Sequence, residues 1–232
     1  MPCVLFGGSF DPVHYGHLRM AVEVGELLQA EVRLLPSPAQ AGKRNRATAQ
    51  QRVDMLQLAL AEANALKQPP LRADRSEVDL RSADDLRPVY TIDTLSRYRQ
   101  QLPQEQPLIF VMGMDSFLNI RDWHQWSQLT RHAHLLVIGR PGSQDEAGSA
   151  ALAELRQLDE FSGAFVEEPG VLLERPAGHI HLVQLSLLDI SSTRIRALIS
   201  RGRPASYLTA PAVLDYIARN DLYSCAADHN LI

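Results

Sequence analysis

Two histidines one helical turn apart follow a glycine-rich stretch near the start of the chain, in the run GGSFDPVHYGHLR from Gly7 to Arg19. A glycine loop before a helix exposes backbone N–H groups that attract an anion such as phosphate. His14 and His17 can face one bound group, because residues three apart share a helix face. Imidazoles placed there can donate to oxygens that gain charge during phosphoryl or nucleotidyl transfer. Considered alone, the pair is equally compatible with two solvated histidines or half of a metal site, although no third ligand is apparent.

A second polar motif, ISSTRIR, lies far downstream at residues 190–196. Ser191 or Ser192 can cap the helix that follows, which leaves its first N–H groups for a phosphate. Arg196 lies one turn further on with a fixed positive charge. Without a link to the first motif, this segment is an ordinary helix cap followed by a surface arginine.

The hydrophobic pattern predicts the scaffold that carries these motifs. Unbroken apolar strands alternate with amphipathic helices, which indicates a Rossmann-like α/β fold, a doubly wound parallel sheet with helices on both faces. We expect strands at residues 4–6, 31–36, 107–112, 134–139 and 179–185, with a short one within 69–80. We expect helices at residues 17–30, 47–66, 90–102, 151–161, 191–200 and 211–223. The glycine-bearing segments follow strand carboxyl ends, where such sheets bind ligands.

Composition limits the classes of function. The 232 residues are 45% hydrophobic, which suits a single domain over residues 1–232, with 224–232 as a loose tail. A formal net charge of −4 and the lack of a basic patch argue against nucleic acid as a partner. Cys3 and Cys225 have no zinc or disulfide spacing, and no apolar run is long enough for a membrane span. We therefore expect a cytoplasmic protein with no membrane partner; the sequence leaves open whether it forms a homo-oligomer.

The two motifs together resemble the signatures of the HxGH nucleotidyltransferase superfamily. Its first signature, G-[ST]-F-[DN]-x-x-H-x-G-H, is matched by Gly8, Ser9, Phe10, Asp11, His14, Gly16 and His17, and ISSTRIR is similar to its ISSTxIR element. Four further segments are similar to those of bacterial nicotinate-nucleotide adenylyltransferases, namely PVYTIDTL, VMGMDSF, DWHQW and VIGRPG. The resemblance implies adenylyl transfer from ATP to nicotinate mononucleotide, which gives deamido-NAD and pyrophosphate in NAD biosynthesis.

The same resemblance implies a role for each matching residue. The implied catalytic residues are His14, His17 and Arg196, and the implied ATP-binding residues are Gly8, Ser9, Phe10, Lys43, Ser192 and Thr193. The implied mononucleotide-binding residues are Tyr90, Thr91, Asp115, Trp123 and Arg140. An indole such as Trp123 can stack on the pyridine ring, although a buried core aromatic is the alternative, for which Trp126 is the better candidate. Mg²⁺ is expected, bound mainly through the ATP phosphates and largely with water ligands.

Two departures from the family pattern leave alternatives open. The run QAGKR has Gly42 where the family has a histidine, while Lys43 keeps a cation, and Val89 replaces a common serine. Loss of that hydroxyl can relax the preference for acid over amide, so nicotinamide mononucleotide is an alternative acceptor. Phosphopantetheine is another phosphate acceptor to consider, and the tyrosine, threonine and tryptophan segments argue against it. A non-catalytic nucleotide-binding protein on the same fold is the alternative from another class.

Overall fold

The structure is a computed structural model that describes residues 1–38, 47–66, 68–79, 89–139, 146–186 and 188–224. Its strands form one seven-stranded sheet in the order β3-β2-β1-β4-β5-β7-β6, and every neighbouring pair is parallel. The strands are β1 Cys3–Gly8, β2 Val32–Pro36, β3 Leu71–Ala73, β4 Leu108–Gly113, β5 His134–Gly139, β6 Phe165–Val166 and β7 Ile180–Gln184. The predicted parallel α/β sheet is confirmed.

The six predicted helices are present with shifts at their ends, and the structure has two further short α-helices that were not predicted. They are α1 Tyr15–Leu28, α2 Ala49–Ala63, α3 Thr91–Gln101, α4 Met114–Leu118, α5 Leu129–His132, α6 Glu146–Arg156, α7 Ser192–Ile199 and α8 Pro211–Arg219. Short 3₁₀ helices cover Ile120–Asp122, Trp126–Gln128, Asp159–Phe161 and Pro169–Leu173. Helix α8 ends four residues before the predicted position, because the chain turns at Asp221, which adopts a left-handed backbone conformation (φ 49°).

Helices cover both faces of the sheet. Side chains alternate along each strand, so Val4 and Phe6 join one apolar cluster while Leu5 joins another. The first cluster includes residues of α1, α2 and α8, and the second includes residues of α3 and α4. The described strands thus share one sheet with two buried faces; a single domain over residues 1–232 stays a prediction.

The order of the strands reverses at β1. From β1 the chain proceeds outward to β2 and β3, then returns to β4 on the other side of β1. Such a reversal opens a crevice at the strand carboxyl ends, which is where ligands bind in open α/β sheets. Gly8 ends β1 and Gly113 ends β4, so both border this crevice. Among the described residues, no helix is both long enough and apolar enough to cross a membrane.

Candidate active site

The two histidines of the first motif form the N-terminus of α1 with their own side chains. The ring nitrogen Nδ1 of His14 accepts from the backbone N–H of His17 at 3.3 Å, and Nδ1 of His17 accepts from the backbone N–H of His14 at 3.3 Å. This reciprocal arrangement is a capping box, which requires residues three apart. The two rings are stacked with their centroids 3.6 Å apart. Their spacing therefore serves the helix cap and also brings two imidazoles to one place.

These bonds determine where the rings carry their protons. Because each Nδ1 accepts an N–H, a neutral ring must carry its proton on Nε2. Burial lowers the pKa of His14 to about 4. Burial, followed by the neighbouring His14, lowers the pKa of His17 well below its usual value. Near neutral pH both rings are therefore uncharged, and each keeps one Nε2–H to donate to a ligand.

Close packing holds the imidazole pair from two sides. A Cβ atom added to Gly16 would lie 3.0 Å from two atoms of the His14 ring, so a larger residue would push that ring aside. On the other side, the ring of Phe10 meets the His17 ring edge-on with centroids 5.0 Å apart. The Phe10 side chain is fully buried, so only its backbone is available to a nucleotide.

Four backbone carbonyls of the loop between β1 and α1 accept hydrogen bonds from side chains distant in sequence. The bonds are Arg52 Nη1 to Ser9 O at 2.6 Å, Arg196 Nη1 to Asp11 O at 2.6 Å, Ser192 Oγ to Pro12 O at 2.9 Å, and Thr209 Oγ1 to Val13 O at 2.7 Å. Carbonyl oxygens that would repel an anion are thereby occupied by donors. The loop is fixed by residues of α2, α7 and the segment before α8.

The second motif lies directly against the first. Ser191 caps α7 by accepting from the N–H of Arg194 at 3.2 Å, while Ser192 bonds to the loop. The other terminal nitrogen of Arg196, Nη2, donates to Thr193 Oγ1 at 3.3 Å. The Arg196 side chain keeps 22% of its surface exposed, so it stays partly accessible. Two segments about 180 residues apart in sequence therefore form one cationic, N–H-rich surface.

A cavity of about 650 Å³ lies at the crevice between the ends of β1 and β4. It brings together five residues predicted from the sequence: Gly8, Tyr90, Thr91, Asp115 and Trp123. It is also lined by residues for which the sequence offered no role, including Ser37, Glu77, Phe110, Asp122 and His124. Val89, one of the departures from the family pattern, lines it as well.

The N-terminus of α3 faces this cavity. Tyr90 precedes the helix and gives no side-chain cap, and the backbone oxygen of Tyr90 accepts from the N–H groups of Asp93 and Thr94. In the described chain, the N–H groups of Thr91 and Ile92 have no such helical partner, so they can bind an anion. The Tyr90 ring stacks on His124, with centroids 4.2 Å apart.

The two tryptophans have different surroundings. Trp123 lines the cavity and meets the ring of Phe110 edge-on, with centroids 6.3 Å apart. Trp126 packs against the buried ring of Phe161 at 5.6 Å. The indole of Trp123 is thus placed where it could stack on a flat ligand. Both indoles are half-buried and pack against the second apolar cluster, so Trp126 is less buried than the core aromatic that the sequence analysis expected.

Glu77 is the buried titratable group among the cavity residues that the sequence analysis missed. Glu77 is 7% exposed, and its carboxyl accepts a hydrogen bond from the Thr94 hydroxyl at 2.7 Å. Burial raises the pKa of Glu77 to about 7. A single glutamate in a polar segment between a strand and a helix carries no sequence signal. Its place in the cavity is apparent only from the folded structure.

Two predicted site residues, Lys43 and Arg140, lie outside the described residues, as does Gly42, one of the departures from the family pattern. Their implied roles stay predictions. Within the ranges that the structure describes, no three His, Cys, Asp or Glu side chains are grouped as ligands for a metal ion.

Comparison with known proteins gives matches over most of the chain. The model of a family described as cytidylyltransferase-like matches residues 5–198. The Pseudomonas entomophila protein named "Probable nicotinate-nucleotide adenylyltransferase" is 38% identical over 221 residues, which cover 94% of this chain and 93% of that protein. A protein of the same name from Aeromonas salmonicida is 39% identical over 224 residues, covering 96% and 97%.

A solved structure also has the same fold. The nicotinic acid mononucleotide adenylyltransferase of Plasmodium falciparum, complexed with NaAD, superimposes with a TM-score of 0.70 and covers 96% of this chain and 97% of its own. At 18% identity, this likeness shows a shared fold.

Proposed function

The chain belongs to the cytidylyltransferase-like family and, within it, to the nicotinate-nucleotide adenylyltransferases, and on that premise we propose that it transfers the adenylyl group of ATP to nicotinate mononucleotide. The products are deamido-NAD and pyrophosphate. One observation supports this assignment most strongly: the cavity ends at Gly7 and Gly8, which lead directly into the loop that carries the imidazole pair. A mononucleotide in the cavity can therefore extend its phosphate toward an ATP bound at that loop.

The reaction needs positioning more than proton transfer. A phosphate oxygen of the mononucleotide attacks the α-phosphorus of ATP, the bond from that phosphorus to the oxygen of the β-phosphate breaks, and pyrophosphate leaves. The nucleophile is already an anion, so no general base is required. Neutral rings at His14 and His17 suit this chemistry, because each supplies an Nε2–H donor to the transferred group, and Arg196 supplies positive charge.

We assign the nicotinate half of the substrate to the α3 side of the cavity. The backbone N–H groups of Thr91 and Ile92, together with the Thr91 hydroxyl, would donate to the carboxylate of the pyridine ring. Tyr90 and Trp123 would bracket that ring, and Asp115, exposed at the start of α4, would accept from a ribose hydroxyl. Arg140 is proposed to bind the mononucleotide phosphate on the strength of the sequence resemblance.

We assign ATP to the two motifs. The backbones of Gly8, Ser9 and Phe10 and the start of α7 at Ser192 and Thr193 offer N–H groups to its phosphates, and Lys43 is proposed to neutralise the leaving pyrophosphate. The hydroxyl of Ser192 is engaged with Pro12, so the backbone of Ser192 is the part assigned to the ligand.

Mg²⁺ is expected to enter with ATP, held by phosphate oxygens and water. The residues of the two motifs suit such an ion, because they are donors and cations that bind phosphate oxygens and leave the metal to the nucleotide. When bound, the ion offsets charge on the phosphates and aligns them. Both substrates carry phosphate charges and do not cross a lipid bilayer unaided, so we place the reaction in the cytoplasm.

Two cavity residues favour the amide as a second candidate acceptor. Val89 offers no hydroxyl to a carboxylate, and an ionised Glu77 would repel one. Nicotinamide mononucleotide lacks the negative charge that Glu77 would oppose. The chemistry at the phosphates would be unchanged.

Pyrophosphate release tests the proposal. The purified protein would be incubated with ATP, Mg²⁺ and one acceptor at a time: nicotinate mononucleotide, nicotinamide mononucleotide or phosphopantetheine. We expect release with the nicotinate compound at a kcat/KM at least tenfold above that with the others. Faster release with the amide would keep the mechanism and overturn the substrate, and no release with any acceptor would overturn the activity.

A further inference from the structure

The chain returns near its C-terminal end to the loop of the first motif. Tyr223 follows α8, is 4% exposed, and adopts a left-handed backbone conformation with φ of 63°. Its hydroxyl donates to Oδ1 of Asp11 at 2.6 Å, across 212 positions of sequence. Asp11 itself is 2% exposed. This buried bond connects the segment after α8 to the middle of the motif.

The carboxylate held by Tyr223 also faces a proposed catalytic cation. The second carboxylate oxygen of Asp11, Oδ2, lies 4.0 Å from Nη1 of Arg196, and the same nitrogen donates to the backbone oxygen of Asp11 at 2.6 Å. Arg52 of α2 is fully buried, and its guanidinium donates to the backbone oxygen of the neighbouring Ser9. Its positive charge also attracts the Asp11 carboxylate. The rotamer of Asp11 therefore determines how far its negative charge lies from the guanidinium of Arg196.

We propose that Tyr223 is a positioning residue for the adenylyl transfer, which fixes the Asp11 carboxylate and through it the orientation of Arg196 beside the imidazole pair. The inference rests on the proposed function. The Tyr223 hydroxyl remains a donor at working pH, since burial and then the adjacent Asp11 raise its pKa. Tyr223→Phe removes this donor from one oxygen of the carboxylate, so the position of the carboxylate relative to Arg196 is less well fixed.

The same part of the chain offers a matched control. Tyr216, on α8, donates its hydroxyl to Oδ2 of Asp54 on α2 at 2.8 Å. That bond has the same chemistry and also ties the C-terminal region to the rest of the molecule, yet it does not touch the loop. A structural contribution alone would lower the melting temperature of both variants and leave kcat unchanged in both.

The test measures kcat, both KM values and the melting temperature for Tyr223→Phe and Tyr216→Phe. We expect Tyr223→Phe to lower kcat about five- to tenfold, the scale of one hydrogen bond, with KM for nicotinate mononucleotide unchanged. Tyr216→Phe should keep the wild-type kcat while lowering the melting temperature, by less than Tyr223→Phe does because its hydrogen bond is only partly buried. Equal kcat values for Tyr223→Phe and the wild type would overturn the inference.

A double-mutant cycle tests whether Tyr223 acts through Asp11. Asp11→Asn keeps an oxygen for the tyrosine and removes the charge that faces Arg196, so we expect it to lower kcat by itself and to abolish most of the further effect of Tyr223→Phe. Independent, multiplying effects on kcat would overturn the inference. If Tyr223→Phe does not fold, Asp11→Asn is the deciding variant. A wild-type kcat in Asp11→Asn would then overturn the inference, because the proposed role of Tyr223 acts through the Asp11 carboxylate.

Failure of the proposed function can be distinguished from failure of this inference. If the wild type releases no pyrophosphate, the function fails, and calorimetric titration of ATP in the same variants decides the role of Tyr223. A Kd for ATP that rises at least threefold in Tyr223→Phe and stays constant in Tyr216→Phe supports positioning. Equal Kd values in the wild type and Tyr223→Phe contradict it.

Discussion

At the scale of residues, His14 and His17 have two tasks that constrain each other. Their Nδ1 atoms cap α1, which leaves Nε2–H for the phosphate, so protonation of either ring would remove an acceptor from the helix start. A neutral donor is sufficient for a reaction whose nucleophile is already deprotonated. The same geometry that prepares the site thus makes the folded protein sensitive to acid.

The first prediction follows from the lowered pKa of His14. Because its folded-state pKa of about 4 lies below its unfolded value, the unfolded chain binds more protons at acidic pH, and the free energy of unfolding falls as pH falls from about 6.5 toward 4. His14→Asn keeps an acceptor at the cap and cannot titrate. Urea unfolding at pH 6.5 and 4.5 should show the wild type losing roughly 2 kcal/mol more than the variant. Equal losses in the two proteins would refute the buried neutral state.

The second prediction concerns the two tryptophans. Trp123→Ala should raise KM for nicotinate mononucleotide about tenfold through lost stacking, and leave KM for ATP within twofold. Trp126→Ala is the control, because it removes a contact with Phe161 in the core and should lower the melting temperature without a selective change in KM. A rise in KM for ATP in the Trp123 variant would show that the cavity is assigned to the wrong substrate.

At the scale of elements, the loop before α1 depends on side chains from other parts of the chain. The sequence indicates its glycines and histidines, and the resemblance links it to ISSTRIR, but neither identifies Arg52, Thr209 or Tyr223 as its supports. Arg52 looks like any polar residue of an amphipathic helix, and its burial depends on how α2 packs. Such supports follow from tertiary contacts, for which hydrophobic periodicity carries no signal.

The third prediction tests how tightly this element is packed. Gly16→Ala places a methyl group 3.0 Å from the His14 ring, which must shift within its capping box. Displacement of an aligned donor should lower kcat at least tenfold while α1 still forms. Gly170→Ala is the control, because a Cβ atom there meets nothing within 4 Å. Wild-type kcat in the Gly16 variant would show that the ring pair is not tightly held.

At the scale of the whole molecule, the apolar runs were sufficient to predict a parallel α/β sheet and its ligand-binding edge. The order of the strands could not be predicted from those runs, because the central strands β1, β4 and β5 are apolar on both faces and carry no signal for their neighbours. Strand β6, with two residues, and α4, with five, are too short for a periodic pattern to appear. The cavity gained Glu77 and His124 only through folding, so the selectivity between acid and amide was the least predictable property.

The central claim, adenylyl transfer to the nicotinate mononucleotide, is tested most directly by competition. The protein would receive ATP, Mg²⁺ and equal concentrations of nicotinate and nicotinamide mononucleotides, and the two dinucleotide products would be separated and measured at low conversion. We predict that deamido-NAD exceeds NAD at least tenfold, as expected if the backbone N–H groups of Thr91 and Ile92 bind a carboxylate. An excess of NAD, or neither dinucleotide, would contradict the account.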